Sequence, residues 1–201
     1  MSRLAGRHFI QTPGPTNVPD RILRAIDRPM IDQRGPDFAR LQREVIAGCR
    51  TIFRAAGPIM IYASSGSGAW EAALVNTLSP GDKVLAIDTG HFAITWRRMA
   101  ETLGVEAEVM EGDWRHSVDL EDLERRLRAD SSHAIKAVLL VHNETSSGGV
   151  NRIPAVRAVM DRVAHPALLM VDAISSVAAL PYEHDAWGID VTVAGCQKGL
   201  M

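Results

Sequence analysis

The chain has 201 residues, of which 46% are hydrophobic and 23% charged, values that are ordinary for a globular protein with one large or two small domains. The formal net charge of -2 gives no electrostatic reason to expect nucleic acid or an anionic membrane as a partner. No apolar run is long enough to span a bilayer, and residues 1–8 lack the apolar core of a signal peptide, so we expect a cytoplasmic protein.

The first third of the chain predicts a loop followed by two helices. Residues 11–19 contain three prolines, which exclude a regular helix or a central strand and indicate a rigid, turn-rich loop. A short helix is predicted over residues 20–27, and a longer one begins near Pro36. Apolar residues recur in the longer helix at steps of three and four, which predicts one buried face made of Phe38, Leu41, Val45, Cys49 and Ile52.

From residue 58 onward, apolar strands alternate with helices. The predicted strands cover residues 59–63, 83–88, 105–110, 135–142, 167–171 and 191–193. The predicted helices cover residues 69–78, 91–103 and 153–164, with a further helix capped by Asp119. This alternation predicts one α/β domain with a mostly parallel sheet covered by helices on both faces. In such sheets ligands bind at the carboxyl ends of the strands.

A glycine-rich turn, residues 64–68 (SSGSG), precedes one predicted helix. Glycines let a backbone approach a ligand, and free N–H groups of a first helical turn favour an anion, so the turn is either a phosphate site or a plain tight turn. A dinucleotide site is the competing hypothesis, because Asp88 lies about 20 residues further on. That fingerprint needs a third glycine where this chain has Glu71, so the hypothesis is disfavoured.

Further polar or aromatic residues follow other strands. Phe92 or His91 could stack on a flat ring, although a core role suits Phe92 equally well. Asn143 and Thr145 could donate to a phenolate-like oxygen, or could simply cap the loop in which they lie. The two cysteines form no CxxC pair and the seven histidines have neither HxxxH nor HxH spacing, so no disulfide framework or metal site is expected.

Asp172 and Lys198 are the most informative pair. Asp172 directly follows an apolar strand, where a carboxylate would be partly buried and would need a partner. A protonated pyridine nitrogen would serve, and an arginine or backbone N–H groups are the structural alternative. Lys198 lies between Gln197 and Gly199 after the last strand, which suits an amine that carries pyridoxal 5'-phosphate, although an ordinary surface lysine would look the same.

Six motifs, read together and in order, resemble the class V pyridoxal phosphate-dependent aminotransferases, and most of all the serine-glyoxylate and alanine-glyoxylate group. The resemblance runs from about Phe9 to the end of the chain. The motifs are residues 13–19 (PGPTNVP), 66–74 (GSGAWEAAL), 141–145 (VHNET), 171–176 (VDAISS), 187–190 (WGID) and 197–201 (QKGLM).

The resemblance implies a fold-type I transferase large domain, a homodimer with its active site at the interface, and amino acid and glyoxylate substrates. Lys198 would bind the cofactor covalently and move a proton at the substrate's α carbon, and Asp172 would keep the pyridine nitrogen protonated. Phe92 would stack on the ring, Thr145 would lie near its phenolic oxygen, and residues 13–17 would border the substrate pocket. The phosphate site would be lined by Ser65, Gly66, Ser67 and Gln197.

The same resemblance leaves alternatives open. The family continues for nearly as many residues again, so residues 1–201 would form an incomplete large domain, with residues 1–35 as an N-terminal arm and active-site loop, and the small C-terminal domain absent. The arginine that binds the substrate carboxylate would lie in the absent part. Other members, a ureidoglycine-glyoxylate or aminoethylphosphonate aminotransferase, use similar chemistry, and a desulfurase is a weaker alternative because Cys49 and Cys196 lie in the wrong contexts. A chain of this length could also be a non-catalytic remnant that binds the cofactor.

Overall fold

The computed structural model of the protein describes residues 10–14 and 17–200. Two helices, α1 (Asp20–Ile26) and α2 (Pro36–Phe53), come first, and strands then alternate with helices. The remaining elements are α3 (Gly66–Thr77), β1 (Lys83–Ile87), α4 (His91–Thr102), β2 (Glu106–Met110), α5 (Leu120–Ala129), β3 (Ile135–Val141), β4 (Asn143–Glu144), β5 (Gly149–Val150), α6 (Ile153–Arg162), β6 (Leu168–Asp172) and β7 (Val191–Val193).

Five strands form one sheet in the order β2-β1-β3-β6-β7, and every neighbouring pair in it is parallel. The short strands β4 and β5 pair antiparallel as a separate hairpin just after β3. In the register of β3 and β6, Val141 lies opposite Asp172, so both strands end at the same edge of the sheet. The predicted parallel α/β sheet is confirmed.

The sheet is covered on both faces because successive strand residues point to opposite sides. Val138 and Leu140 of β3 belong to the buried cluster that α5 and α6 cover. Their neighbours Ala137 and Leu139 belong to the second cluster, which α3 and α4 cover. With both faces buried, the inner strands β1, β3 and β6 need apolar residues at nearly every position, which is why their sequences are nearly continuous apolar runs rather than alternating ones.

Helix boundaries follow the predicted signals with one exception. Asp119 caps α5 as predicted, because its side chain accepts hydrogen bonds from the backbone N–H groups of Glu121 and Asp122. Helix α3 begins at Gly66 rather than at residue 69. Glycine has a low helix propensity, but Gly66 is buried against the side chain of Ile174, and this packing holds the first turn in place.

Two predictions for the N-terminal part are wrong. Residues 59–63 form no strand, and Met60, Ile61 and Tyr62 are exposed by 71%, 60% and 54%. Helix α2 contains no buried residue, and Leu41 and Val45 on its predicted core face are more than two-fifths exposed. Apolar spacing predicts the face that would be buried, but no sheet strand or helix of the described chain covers either stretch.

The described residues include neither a helix suited to span a membrane nor a cluster of side chains suited to bind a metal ion. None of its helices has the length and apolar character required to cross a membrane. Within the same residues, no group of three or more His, Cys, Asp or Glu side chains is arranged to hold a metal ion.

Candidate active site

The carboxyl edge of the parallel sheet carries most of the predicted site residues. Asp172 is the last residue of β6, and Thr145 lies in the turn between β4 and β5 that follows β3. Phe92 lies in the first turn of α4, which follows β1, and Lys198 lies five residues beyond the end of β7. Parallel strands bring these four positions to one edge although they are far apart in the sequence.

Asp172 is a buried carboxylate with two defined donors. Its side chain is 4% exposed; Oδ1 accepts a hydrogen bond of 2.7 Å from the backbone N–H of Ile174, and Oδ2 accepts one of 2.9 Å from the indole N–H of Trp70. The pKa of Asp172 is raised to about 6, because the effect of burial outweighs the two hydrogen bonds and the charge of Lys198, which lower the pKa. The carboxylate is more deeply buried than the sequence predicts, and one of its donors is an indole rather than an arginine.

Lys198 is half-buried at the end of the loop that follows β7. Its amine donates a hydrogen bond to the backbone carbonyl of Pro13, which joins the two ends of the described chain. Pro13 belongs to the loop of residues 13–17 that is predicted to border the substrate pocket. Pro15 and Thr16 of that loop lie outside the described residues, as does Met201 of the last motif. The predicted lysine and the first residues of the predicted pocket loop therefore lie together.

The start of α3 has the properties of an anion site. Ser65 is the N-cap residue but makes no side-chain cap hydrogen bond, and the N–H groups of the first helical turn have no partner within the helix. Ser65 and Ser67 are exposed, and Gly66 is buried behind them. Backbone N–H groups, hydroxyls and the positive end of the helix dipole together favour a phosphate.

Gln197 lies on a different loop from α3. Its side chain is exposed and folds back over Gly195, where an added Cβ would come within 2.5 Å of Oε1. Because Gln197 directly precedes Lys198, it stays close to the predicted lysine, and its assignment to the phosphate site stays a prediction.

The sequence missed Glu144 as a structural link between two predicted site residues. Glu144 is fully buried, and its carboxylate accepts hydrogen bonds from the backbone N–H groups of Phe92, Ala93 and Ser146, and from the Ser146 hydroxyl. It therefore caps α4 and fixes the backbone of Phe92, while its own chain leads directly into Thr145. Gly90 permits this contact, because an added Cβ there would lie 2.3 Å from Cγ of Glu144.

Of the two missed residues, Glu144 and Trp70, only Glu144 had a signal in the sequence. Glu144 lies in a polar cluster at the end of a buried strand, where a charged side chain needs partners. Trp70, which binds Asp172, has no comparable signal: a tryptophan four residues after Gly66 on an apolar helix looks like any core aromatic. Only the crossing of α3 over the carboxyl end of β6 brings its indole N–H to the carboxylate.

The residues at this edge fit pyridoxal phosphate. A buried carboxylate with one donor on each oxygen has lone pairs left for a protonated ring nitrogen. The first turn of α3 provides N–H donors for a phosphate, and the half-buried Lys198 provides an amine. A cavity of about 120 Å³ lies elsewhere, beside Trp114 and Asn151, and none of the predicted site residues lines it.

Comparisons with known proteins identify the family to which the chain belongs. The family model described as "Aminotransferase class-V" matches residues 10–201. The serine–glyoxylate aminotransferase of Methylorubrum extorquens is 45% identical over 100% of this chain and 50% of its own length. The L-aspartate–glyoxylate aminotransferase of Paracoccus denitrificans is 41% identical over 98% of the chain and 50% of its own length. The chain thus spans about half the length of the curated relatives it matches.

A solved structure extends the likeness to three dimensions. The alanine–glyoxylate aminotransferase from Nostoc sp. matches with a TM-score of 0.88 and 28% identity, over 100% of this chain and 52% of that one. The fold is therefore that of the fold-type I aminotransferases. By sequence and by structure, the chain belongs to the class V aminotransferase family, whose cofactor is pyridoxal 5'-phosphate.

Proposed function

We propose that the protein is an aminotransferase that moves an amino group from serine or alanine to glyoxylate. The observation that carries the proposal is the buried Asp172 carboxylate, whose two donors leave it able to bind one more. The names of the relatives support the acceptor, because the proteins from Methylorubrum, Paracoccus and Nostoc are all described as glyoxylate aminotransferases. They differ in the donor, which is serine, L-aspartate or alanine.

The residues of this chain would divide the work as follows. When bound, the cofactor's pyridine ring withdraws electrons from the substrate's α carbon. Lys198 would hold the cofactor through its amine and would move a proton at that α carbon. Asp172 would hold the proton on the ring nitrogen, and Phe92 would stack on the ring. Thr145 would lie near the phenolic oxygen.

The phosphate group would be bound at the start of α3. Ser65, Gly66 and Ser67 would provide N–H and hydroxyl donors there, and Gln197 would add a donor from the lysine loop. This assignment is supported by the exposed serines around a buried glycine at a helix N-terminus.

The assembly and location are part of the same proposal. Residues 1–201 would belong to the large domain, with residues 1–35 as its N-terminal arm, and the protein would act as a cytoplasmic homodimer with amino acid and 2-oxo acid substrates. A covering partner is supported by the apolar side chains that the described chain leaves exposed, which include Leu23, Ile26, Met30, Leu41, Val45, Ile52, Met60 and Ile61.

L-Aspartate is a second candidate donor, because the Paracoccus relative named for it is nearly as similar as the serine enzymes. A donor panel of serine, alanine, aspartate, ureidoglycine and aminoethylphosphonate, each with glyoxylate, separates the members of the family. Turnover of serine or alanine above the others supports the proposal. Cofactor binding without turnover of any donor would indicate a remnant that is not an enzyme.

Covalent cofactor binding is the first test. The chain has three lysines, so borohydride reduction after incubation with pyridoxal phosphate, followed by peptide mapping, can distinguish Lys198 from Lys83 and Lys136. We expect one pyridoxyl adduct, at Lys198, which K198A abolishes and K136A retains. Lys136 is a suitable control because it is exposed and donates to the His133 carbonyl, away from the predicted site. An adduct that survives K198A would refute the assignment.

A further inference from the structure

Trp70 is the residue that connects the predicted cofactor contacts to one another. Its indole N–H donates a 2.9 Å hydrogen bond to Oδ2 of Asp172, and the Trp70 side chain is 2% exposed. Its ring also meets Phe92 edge to face, with 6.4 Å between the ring centroids. One helical turn before it lies Gly66, at the predicted phosphate site. A single buried side chain thus contacts the predicted ring-nitrogen partner and the predicted stacking ring.

The position of Trp70 is fixed from two sides. Trp96 of α4 stacks on it with the ring planes 14° apart and the centroids separated by 6.0 Å. At Gly66, an added Cβ would come within 2.5 Å of the Ile174 side chain, so α3 is pressed closely against the segment that follows Asp172. Because Ile174 also donates its backbone N–H to Oδ1 of Asp172, each oxygen of this carboxylate is held by a donor that packing prevents from moving.

An indole N–H is a special partner for a buried carboxylate. It donates but never accepts, and it carries no charge and does not titrate. It therefore favours the ionised form of Asp172 over the protonated form at every working pH, and it does so without neutralising the negative charge. A lysine or arginine in the same place would form an ion pair and compete with a protonated ring nitrogen.

We infer that Trp70 is a positioning residue for Asp172: its indole N–H orients the carboxylate and holds it ionised for the protonated ring nitrogen of the cofactor. This inference rests on the proposed function. Trp70 itself does not touch the reacting atoms; it acts through Asp172.

Other titratable groups around Asp172 set the background for a test. Burial raises the pKa of Asp172 most, the charge of Glu144 raises it further, and the charge of Lys198 lowers it. Tyr182 stays neutral because burial raises its pKa, and burial lowers the pKa of His142, whose backbone N–H binds the Asp172 carbonyl. None of these groups is altered by a substitution at Trp70, so a change in the Asp172 titration would report the lost indole donor.

The test is the titration of Asp172 in the cofactor-free protein. Carbon-13 is placed in the aspartate carboxyl groups, and the Asp172 resonance is identified by its loss in D172N. We expect a midpoint near pH 6 in the unmodified protein. In W70F, which keeps an aromatic ring but removes the donor, the midpoint should rise by about one pH unit, because a donor to the ionised form is lost.

W96F is the matched control. Trp96 is the other member of the stacked pair and is equally buried, but its indole N–H has no partner among the described residues. W96F therefore removes the same atoms from the same stack without removing a hydrogen bond to Asp172, and its midpoint should stay near pH 6. If the midpoint of the Asp172 titration is the same in W70F as in W96F, the inference is wrong. Should W70F fail to fold, benzothienylalanine at position 70, which replaces only the N–H with sulfur, makes the same test.

Cofactor binding separates this inference from the proposed function. In the unmodified protein and in W96F, pyridoxal phosphate binding should weaken below the same pH, and in W70F that pH should rise by about one unit, together with the carboxyl midpoint. An unmodified protein that binds no cofactor would overturn the proposed function, while the carboxyl titration would still decide the role of Trp70. A protein that binds the cofactor with the same pH dependence in all three forms would overturn the inference alone.

Discussion

The chain before Gly66 and the chain after it are built differently. Residues 66–193 contain the whole parallel sheet and every buried side chain of the described protein, whereas residues 10–14 and 17–65 contain none. Both regions have apolar residues at helical or strand-like spacing. The contrast teaches that such spacing identifies the face that would be buried, and that burial itself depends on whether the chain supplies a surface to pack against it.

The last residue of α2 and the residues just after it contact the sheet domain. The carbonyls of Phe53 and Arg54 accept hydrogen bonds from the backbone N–H groups of His184 and Asp185, and Ala56 donates to the Asp185 carboxylate. Phe53 packs edge to face on Tyr182. The end of α2 is therefore attached to the sheet domain, while the rest of its apolar face lies free of it.

The largest expected difference comes from one substitution made in both regions. Met170 is fully buried in β6, and Met60 is 71% exposed in the segment that the sequence predicts as a strand. M170A should lower the free energy of unfolding by about 2–5 kcal/mol, because it loses buried surface and leaves a cavity. M60A should change it by less than about 0.5 kcal/mol. Urea denaturation of the two variants measures both values. A similar loss of unfolding free energy in each would show that the two regions do not differ in packing.

The second prediction concerns pH and the buried edge of the sheet. The folded pKa of Asp172, about 6, lies above that of an unfolded aspartate, so the folded state binds the proton more tightly. The contribution of Asp172 to the unfolding free energy is therefore fully present at low pH, and it is lost as the pH rises through about 6. From about pH 4 to pH 7 the loss should be about 2 kcal/mol.

D172N supplies the reference for that measurement. Its unfolding free energy should lack this decline, so the difference between D172N and the unmodified protein should grow with pH. If the unfolding free energies of the two proteins changed with pH in parallel, the pKa of Asp172 would not be raised by burial.

The third prediction compares a buried helix cap with an exposed one. E144Q should lower the unfolding free energy by about 1–2 kcal/mol, because an NH2 group replaces one of the two carboxylate oxygens that accept from the start of α4 and from Ser146. D119A should cost about 1 kcal/mol or less, because the donors it leaves on α5 can turn to water. Thermal unfolding of both variants gives the order, and a reversed order would show that the Glu144 contacts are weak.

The sequence predicted the chain after Gly66 better than the chain before it. The five strands of the parallel sheet, β1, β2, β3, β6 and β7, could be placed within a residue or two because short, mostly apolar runs with turns at each end leave few alternatives. The two-residue strands β4 and β5 were not predicted, because they have no apolar run of their own. The strand at residues 59–63 could not be excluded, because its apolar character is as strong and only the absence of a pairing strand beside it in the described chain distinguishes it. A strand needs a neighbour, and sequence spacing does not name one.

The candidate site divides in a similar way. Asp172 could be chosen as a candidate because a carboxylate directly after an apolar strand is conspicuous, and Lys198 because it stands alone between Gln197 and Gly199; their roles stay predictions. Their partners could not, since the bond from Trp70 spans 102 residues and those from Phe92 and Ala93 to Glu144 span about 50. Such contacts depend on how helices cross the strand ends. Local spacing carries no record of that crossing.

The smallest expected effect on stability, and the sharpest use of the contrast, concerns the exposed face of α2. Leu41 and Val45 are 45% and 42% exposed, and glutamine keeps a helix propensity close to theirs. The double variant L41Q/V45Q should therefore change the unfolding free energy of the monomer by less than about 0.5 kcal/mol. If a second copy covers this face in the proposed homodimer, the melting temperature of the unmodified protein should rise with protein concentration, and that of the double variant should not. Sedimentation at matched concentrations measures directly how much of each protein is dimeric. A double variant that unfolds more easily at every concentration would mean that α2 is packed within its own chain, and the two regions would then differ less than the structure indicates.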